Sequence, residues 1–519
     1  MKKFIQNNSE RINGVLQSFD RIILKGYIKH FYHGNNFYYF LSQENIKLKD
    51  YKGYILTVTD QIKKHVQDLI SKTGCHSHYL NSTKISKEKV VKDILSKTPD
   101  KEGLICVLSC VEPCSTITVK YNTMSHKLEK SLEFRKCLHY YFYYNDREFG
   151  LMYVRFQTWL PFTIQIYING KEYLKKQLAK ASIPFTSNDN CITSVSDFDK
   201  AQKIADRFVE KKWAKVFDRF ARQVNAFLPR IETIFNQHGY TWYLEQCEYA
   251  SDVLFKDRDT LESVYPYFVE YASLCQMGEN IFTFFGRKAH LLCQGEAVSD
   301  RKHYWQQGFR VKFTLDKNSI KMYDRGNVLR VETTINNAGA FKIRNPNPQG
   351  TKKWVPMGKS ISNMYRYVEI AKKCNERYLD SLAVVNRDDK QNKAVEKLCH
   401  PQVTKLSVKS VKERSYSAFN PLKDINCKLF NAVMNGAYTI RGFTTRHLTK
   451  VLIAMKAFSK EQMSNMDRLV AKVGRLIAQL RAHKLVSKLP NTFRYRVTSY
   501  GQNVLSRLLL FKKYDLKFC

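Results

Sequence analysis

The densest group of chemically capable side chains lies in one run, Ser319-Ile320-Lys321-Met322-Tyr323-Asp324-Arg325-Gly326-Asn327-Val328-Leu329-Arg330-Val331-Glu332-Thr333-Thr334-Ile335. Gly326-Asn327 fits the two-residue connection of a β-hairpin, which needs positive φ. That register sets Tyr323 opposite Arg330 and Lys321 opposite Glu332. Strand side chains alternate, so all four share one face, while Met322, Leu329, Val331 and Ile335 point to the other. The preceding strand, Gly308–Leu315, alternates likewise and adds Arg310 and Lys312. Several cations, a tyrosine and one carboxylate on one strand face could hold a phosphodiester. They could equally be a salt-bridge lattice on a solvated sheet. In the first case Glu332 holds a divalent metal, Tyr323 is a candidate nucleophile, and Lys321 and Arg330 position the phosphate. No general base for the tyrosine is identifiable.

Further metal ligands are sought among carboxylates. In Leu244-Glu245-Gln246-Cys247-Glu248-Tyr249-Ala250-Ser251-Asp252, a helical reading makes Glu248 and Asp252 i,i+4 neighbours. Two close carboxylates can hold Mg²⁺ against a phosphate oxygen, and an exposed acidic helix face is the plainer alternative. The expected metal set is Glu332, Glu248 and Asp252, with Mg²⁺ as the ion and no organic cofactor. Asp20 and Asp146, near predicted strand ends, could join it. Cys75-His76-Ser77-His78 and Cys106, Cys110 and Cys114 fit no standard zinc spacing, and no Cys-x-x-Cys occurs, so no structural zinc is expected. Cys106 and Cys110 sit in or beside an apolar run, where a thiol behaves as a small hydrophobe. Gly358-Lys359-Ser360 ends like a phosphate-binding loop, but Lys353 stands where the loop needs glycine. No nucleophile elbow and no dinucleotide fingerprint occurs.

The segment KMYDRGNVLRVETTI is similar to the K-x-Y-[DN]-K … R-x-E strand pair of some rolling-circle replication initiators of plasmids and filamentous phages. The resemblance spans about 15 residues and carries Lys321, Tyr323, Asp324, Arg330 and Glu332, with Arg325 in place of the usual lysine. It implies DNA nicking by a tyrosine with a divalent metal held partly by carboxylates. The His-hydrophobic-His metal motif of many such nickases is not evident. Cys137-Leu138-His139-Tyr140-Tyr141 offers one histidine in a comparable strand.

The elements that must position these residues read as α+β, in several domains. Residues 1–114 are expected to form an N-terminal α/β region, with a strand over Phe19–Ile28, helices over Asp60–Ser71 and Ser86–Ser96, and a short strand at Leu104–Leu108. Residues 115–385 form a central sheet-and-helix region. Thr116–Tyr121, Cys137–Tyr144, Leu151–Trp159 and Phe162–Ile168 suggest an antiparallel meander, with Asn145-Asp146 and Asn169-Gly170 as turns. Trp159, Tyr140–Tyr144, Phe156 and Tyr167, interleaved with Arg147, Arg155, Gln157 and Gln165, suit either stacking on single-stranded bases or an aromatic core. Helices follow over Phe198–Phe235, Leu261–Leu274 and Ile361–Leu382, with a loop at residues 345–350. Residues 386–420 read as a basic linker.

Residues 421–519 have the most specific pattern. A helix over Leu429–Met434 stops at Asn435-Gly436. Gly442-Phe443-Thr444-Thr445 opens a second helix with a threonine cap. A third runs through Asp467–His483, with Leu469, Val473, Leu476 and Leu480 as an apolar stripe. Arg468, Lys472, Arg475 and Gln479 repeat that spacing on the neighbouring face. Leu485–Leu489, a turn at Pro490-Asn491-Thr492, and the alternating Phe493–Thr498 read as a hairpin before a last helix over Gly501–Leu510. The stretch LRAHKLVSKLPNTFRYRVTSYGQNVL resembles the third-helix end, wing and following helix of winged helix-turn-helix domains. By that resemblance Lys472, Arg475 and Gln479 reach base edges, Arg468 lies on the same face, and Lys488, Arg494 and Arg496 contact phosphates.

Charge points the same way. The chain of 519 residues has 86 Lys and Arg against 47 Asp and Glu, a formal +39. Residues 401–519 hold 23 of the basic residues and five of the acidic ones, a net +18. A polyanion would neutralise this excess and release counterions. No stretch approaches the ~20 apolar residues of a membrane-spanning helix. Met1-Lys2-Lys3-Phe4-Ile5-Gln6-Asn7 lacks the apolar core of a signal peptide, and 13 scattered cysteines suit a reducing compartment, so a cytoplasmic protein without a membrane partner is expected. The expected partner is nucleic acid, DNA ahead of RNA. The expected role is DNA processing in a mobile element, of the replication-initiator or transposase kind. The alternatives are a non-catalytic clamp on structured RNA or DNA, and a sequence-specific regulator.

Overall fold

Strands run further along this chain than its turn signals indicate. The computed structural model describes residues 1–515 except 83–84, 99–100, 237–238, 275, 277, 289–296, 305–307, 347–351, 384, 386–396, 406–412 and 421–422. It is a mixed α/β protein with a large mixed sheet, and it divides into two units.

The first unit comprises residues 14–254 and 332–372. Its strands are β1 (Ile12–Tyr27), β2 (His76–Tyr79), β3 (Gly103–Asn122), β4 (Lys127–Asp146), β5 (Gly150–Gln157), β6 (Ile164–Asn169), a small separate hairpin of β7 (Phe185–Asn188) and β8 (Cys191–Val195), and β9 (Thr241–Phe255). Within this unit the order is β9-β1-β6-β5-β4-β3-β2. The run from β1 to β3 is antiparallel and β2 adds in parallel, which makes the sheet mixed. The α/β boundary expected at residue 114 falls inside β3, because β3 and β4 pair without a break from Glu112↔Cys137 to Asn122↔Lys127. Packing above β3 comes from the helix Lys87–Lys97, whose Ser86 accepts from the Lys89 N–H, and from the long helix Tyr51–Thr73, closed by Gly74 at φ +57°. Tyr140–Tyr144 and Phe156 are buried, so that aromatic run is core.

Two local expectations change. Asn169-Gly170 is no hairpin turn. Asn169 caps a helix over Gly170–Lys180, its side chain accepting from the N–H groups of Lys171 and Glu172. Glu245, Glu248 and Asp252 lie on β9, a strand rather than a helix. Residues 247–255 of β9 are buried on both faces, which erases the alternation that would have marked a strand.

The second unit comprises residues 1–13, 255–331 and 373–519. Here β10 (Ala297–Tyr304), β11 (Gly308–Leu315), β12 (Asn318–Arg325) and β13 (Val328–Ile335) lie in that order, with residues 328–331 of β13 belonging to this unit. The β12–β13 turn is the expected pair Gly326-Asn327, with Gly326 at φ +67°. Positive φ at the first central residue is the II′ arrangement, which glycine adopts without strain. The helices Arg258–Leu274 and Gly278–Phe284 accompany the strands. Between the strands and the C-terminal region, Gln402–Lys405 pairs with Glu413–Tyr416, so the described part of the expected linker contains a hairpin. Residues 347–350 of the expected loop and much of residues 386–420 lie outside the described residues.

The C-terminal region has helices at Asp424–Val433, Thr445–Ala454, Lys460–Met463, Met466–Ala482 and Ser499–Asp515, with short strands Val486–Lys488 and Tyr495–Val497. Thr444 and Asn465 cap their helices by accepting from the N–H groups of His447 and Arg468. Phe443 forms a two-way backbone pair with Tyr495, adding a third short strand edge to the hairpin. The buried stripe of Met466–Ala482 is Leu469, Val473, Ile477 and Leu480, with Leu476 half-buried, so the 4-4-3 spacing replaces the expected 4-3-4.

Candidate functional site

The hairpin residues singled out from sequence are largely buried. Arg330 is 1% exposed and Glu332 2%, whereas Lys321 and Tyr323 on β12 are half-buried. A solvated salt-bridge lattice therefore does not describe β13. In the second unit Lys312 stands directly opposite Lys321. Burial, then Lys321 and Arg310, lower the Lys312 pKa, the signature of cations crowded together. Arg310 also approaches Asp300 at 3.7 Å. The Arg330 guanidinium lies 6.0 Å from the Tyr323 ring centre, in cation–π range. Burial holds the Asp324 carboxyl above its ordinary value. Lys312 and Lys321 thus stand side by side on β11 and β12, with Arg310 two residues along β11 from Lys312.

The expected metal carboxylates lie in the first unit and are committed elsewhere. The Lys171 ammonium donates to Asp252 at 2.6 Å, and both side chains are fully buried. Glu248 and Asp252 keep a common face, being four residues apart on a strand, but that places their Cα atoms about 13 Å apart. Glu248 accepts from the Gln246 amide at 2.9 Å and lies 3.9 Å from the Arg21 guanidinium. Burial pulls the Arg21 pKa down, but Glu248, Tyr167, Asp20 and Glu332 outweigh it and hold the guanidinium firmly charged. Three of the acidic groups thus gather around an arginine. Asp146 spends one oxygen on the backbone N–H groups of Glu148 and Phe149. Among the described residues these carboxylates do not form a set of three mutually close ligands.

One such set exists, and it was not anticipated. Cys114 on β3 with Cys137 and His139 on β4 bring two sulfurs and a ring nitrogen within 4.8 Å of one another, all buried. The β3–β4 register pairs Cys114 with Arg135, so Cys137, two residues on, is its diagonal neighbour on the same face. The two sulfurs are 2.9 Å apart. The contact with Cys137, helped by the His139 ring, pulls the Cys114 thiol below its ordinary value against its burial. The same pairing and burial push the Cys137 thiol far up. In sequence, Cys137-Leu138-His139 carried a usable signal, since two ligands two apart on a strand share a face. Finding Cys114 as the third required the register of a long hairpin.

Cys114 also lines an open cavity of about 560 Å³ whose walls include Lys25, Tyr27, Tyr32, Arg155 and Tyr243. Tyr27 packs edge-on against both Tyr32 and Tyr243. Glu112, beside Cys114 on β3, binds Arg155 at 2.8 Å, Lys87 at 2.9 Å and the Tyr141 hydroxyl. Burial raises the Glu112 pKa, but Lys87, Arg155 and Tyr141 together hold it at about 2. The cavity wall therefore carries less net positive charge than its cations suggest.

In the C-terminal region the residues expected to meet nucleic acid divide into two groups. Arg468 and Arg475 are exposed on the helix Met466–Ala482, and Lys488 is exposed on the hairpin. Lys472 lies 5.4 Å from the Phe458 ring centre. Phe493, at the hairpin tip, is 85% exposed, with the Lys488 ammonium 5.5 Å from its ring centre. Gln479, however, donates to the carbonyls of Ser417 and Ala418, and Arg494 to those of Arg441 and Gly442. Arg496 bonds Glu279 at 3.2 Å. Gln479 and Arg494 are thus engaged by backbone carbonyls, and Arg496 by a carboxylate on the helix Gly278–Phe284 of the same unit. The exposed set gains Arg446 and Lys450 on the helix Thr445–Ala454, which the sequence reading passed over.

Comparison with protein-family models, curated proteins and solved structures finds no match for this chain. Among the described residues, no helix is long and apolar enough to cross a membrane.

Proposed function

We propose that this protein binds nucleic acid, DNA ahead of RNA, through its C-terminal region acting as a winged helix, and serves in DNA processing for a mobile element. The observation that carries the reading is the exposed group of Arg468, Arg475, Lys488 and Phe493 on one helix and the hairpin that follows it. A helix with outward arginines suits the major groove, and a hairpin tip with a lysine and an aromatic ring suits the adjacent backbone. Arg310, Lys312 and Lys321 offer a second cationic face for a phosphodiester, with Tyr323 on the same strand as Lys321.

The test is binding of the full chain to labelled duplex DNA, single-stranded DNA and RNA. Arg468→Glu/Arg475→Glu is expected to weaken duplex binding at least tenfold, about 1.4 kcal/mol, with the far-UV spectrum unchanged. Unaltered affinity in that variant would remove the C-terminal region as the binding site.

A non-catalytic clamp is the second reading. It is favoured by the Lys171–Asp252 ion pair, which occupies a carboxylate that a metal would need. Incubation of the same substrates with Mg²⁺ or EDTA separates the two. Metal-dependent cleavage abolished by Glu332→Gln supports processing, and tight binding without cleavage supports the clamp.

A further inference from the structure

We propose that Cys114, Cys137 and His139 form a binding site for a borderline-soft divalent cation of the zinc class, with the fourth coordination position opening toward the adjoining cavity. The site is independent of the nucleic-acid reading and involves none of its residues.

The first argument is the donor set. Two sulfurs and one imidazole nitrogen lie within 4.8 Å of one another on two paired strands. Thiolate and imidazole select zinc-like ions, whereas Mg²⁺ and Ca²⁺ require oxygen ligands. Three protein ligands with one open position is the arrangement of catalytic rather than structural zinc.

The second argument is the state of the histidine. His139 is fully buried, and its Nδ1 lies 3.1 Å from the Cys137 carbonyl oxygen. An Nδ1–H donated to that carbonyl fixes the tautomer and leaves Nε2 with a bare lone pair. Nε2 is buried and has no hydrogen-bond partner among the described residues. A buried, unsatisfied acceptor is costly unless something binds it. A histidine that spends one nitrogen on a backbone carbonyl and keeps the other for a cation is the usual outer-shell pattern of a metal ligand. The ring stands at the thiol pair, its Nδ1 3.9 Å from the Cys137 sulfur, so a small side-chain shift that exchanges the carbonyl for the ion would suffice to bring a nitrogen into coordination.

The third argument is access. Cys114 forms part of the cavity wall with Lys25, Tyr27 and Arg155, so an ion held by the three side chains would have one side toward solvent. A water or an anionic ligand could complete its coordination there. Room must be made for the ion: two thiolates at ~2.3 Å from a tetrahedral zinc sit about 3.8 Å apart. The sulfurs, now 2.9 Å apart, would part by small side-chain rotations.

The experiment uses the full chain purified under reducing conditions with zinc present. Elemental analysis is expected to give about one zinc per chain. Replacement with Co²⁺ should produce the near-ultraviolet thiolate-to-metal charge-transfer band. Cys114→Ser, Cys137→Ser and His139→Gln should each lower metal affinity at least tenfold, while Cys191→Ser, on β8, leaves it unchanged. X-ray absorption of the wild-type zinc protein, which depends on no variant folding, should count two sulfurs and one imidazole. A wild-type chain that binds no zinc, a site with another donor count, or metal retained by Cys114→Ser/Cys137→Ser would overturn the proposal. Recovery of a Cys114–Cys137 disulfide in place of metal under those conditions would overturn it as well.

Discussion

Lys171 and Asp252 illustrate how a residue's role depends on what faces it. Asp252 in sequence is an acid four positions from another acid. In the fold it is half of a fully buried ion pair with a 2.6 Å contact. Two buried charges add little net stability over apolar residues of similar volume, but removing Lys171 takes the opposite charge from beside a buried carboxylate. Lys171→Met is therefore expected to cost about 3–5 kcal/mol in urea unfolding of the full chain. Lys171→Met/Asp252→Leu should recover most of that loss. A single substitution that leaves the unfolding midpoint in place would show that Asp252 is satisfied without Lys171, and would return it to the list of possible metal ligands.

At the scale of elements, the C-terminal region depends on close backbone approaches. A Cβ on Gly501, in the first turn of the helix Ser499–Asp515, would stand 2.0 Å from the Leu485 carbonyl oxygen. The helix thus seats against the residue that leads into the first strand of the hairpin. Gly501→Ala is expected to destabilise by about 1–3 kcal/mol, the usual cost of overpacking, and to loosen the hairpin that presents Lys488 and Phe493. Gly474, within the helix Met466–Ala482, has nothing within 4 Å of its Cβ position. Gly474→Ala should instead be neutral or stabilise by up to ~1 kcal/mol through helix propensity. Thermal unfolding of the two variants is expected to move in opposite directions. A stable Gly501→Ala chain would mean that the helix sits further from Leu485 than the structure has it.

For the whole molecule, the governing quantity is the excess of 39 positive charges. So large an excess opposes compaction through self-repulsion and favours any polyanion that relieves it. If the exposed cations of the C-terminal region meet phosphates, log affinity should fall linearly with log salt, each phosphate contact adding about −0.9 to the slope. Lys488→Ala, on the hairpin set against the backbone, should make that slope shallower by roughly 1. Titrations of the full chain at several salt concentrations check this. An unchanged slope in that variant would remove Lys488 from the phosphate contacts.

The amino-acid sequence by itself determined what local physics can specify. The Gly326-Asn327 turn, the cap at Thr444, the helix through residues 467–482 and the hairpin after it all follow from periodicity, capping chemistry and turn preference within a few residues. The exposure of Arg468 and Arg475 was legible too, since they alternate with an apolar stripe, although the stripe itself used Ile477 rather than Leu476. Tertiary structure alone decided the rest. β9 is a strand because burial on both faces removed the alternation that sequence reading depends on. Gln479, Arg494 and Arg496 turned inward because carbonyls and a carboxylate distant in sequence came within their reach. Cys114 met Cys137 and His139 only through the register of two paired 20-residue strands, and Lys171 met Asp252 across 81 residues. Long-range pairing brings such groups together, and no local spacing records it.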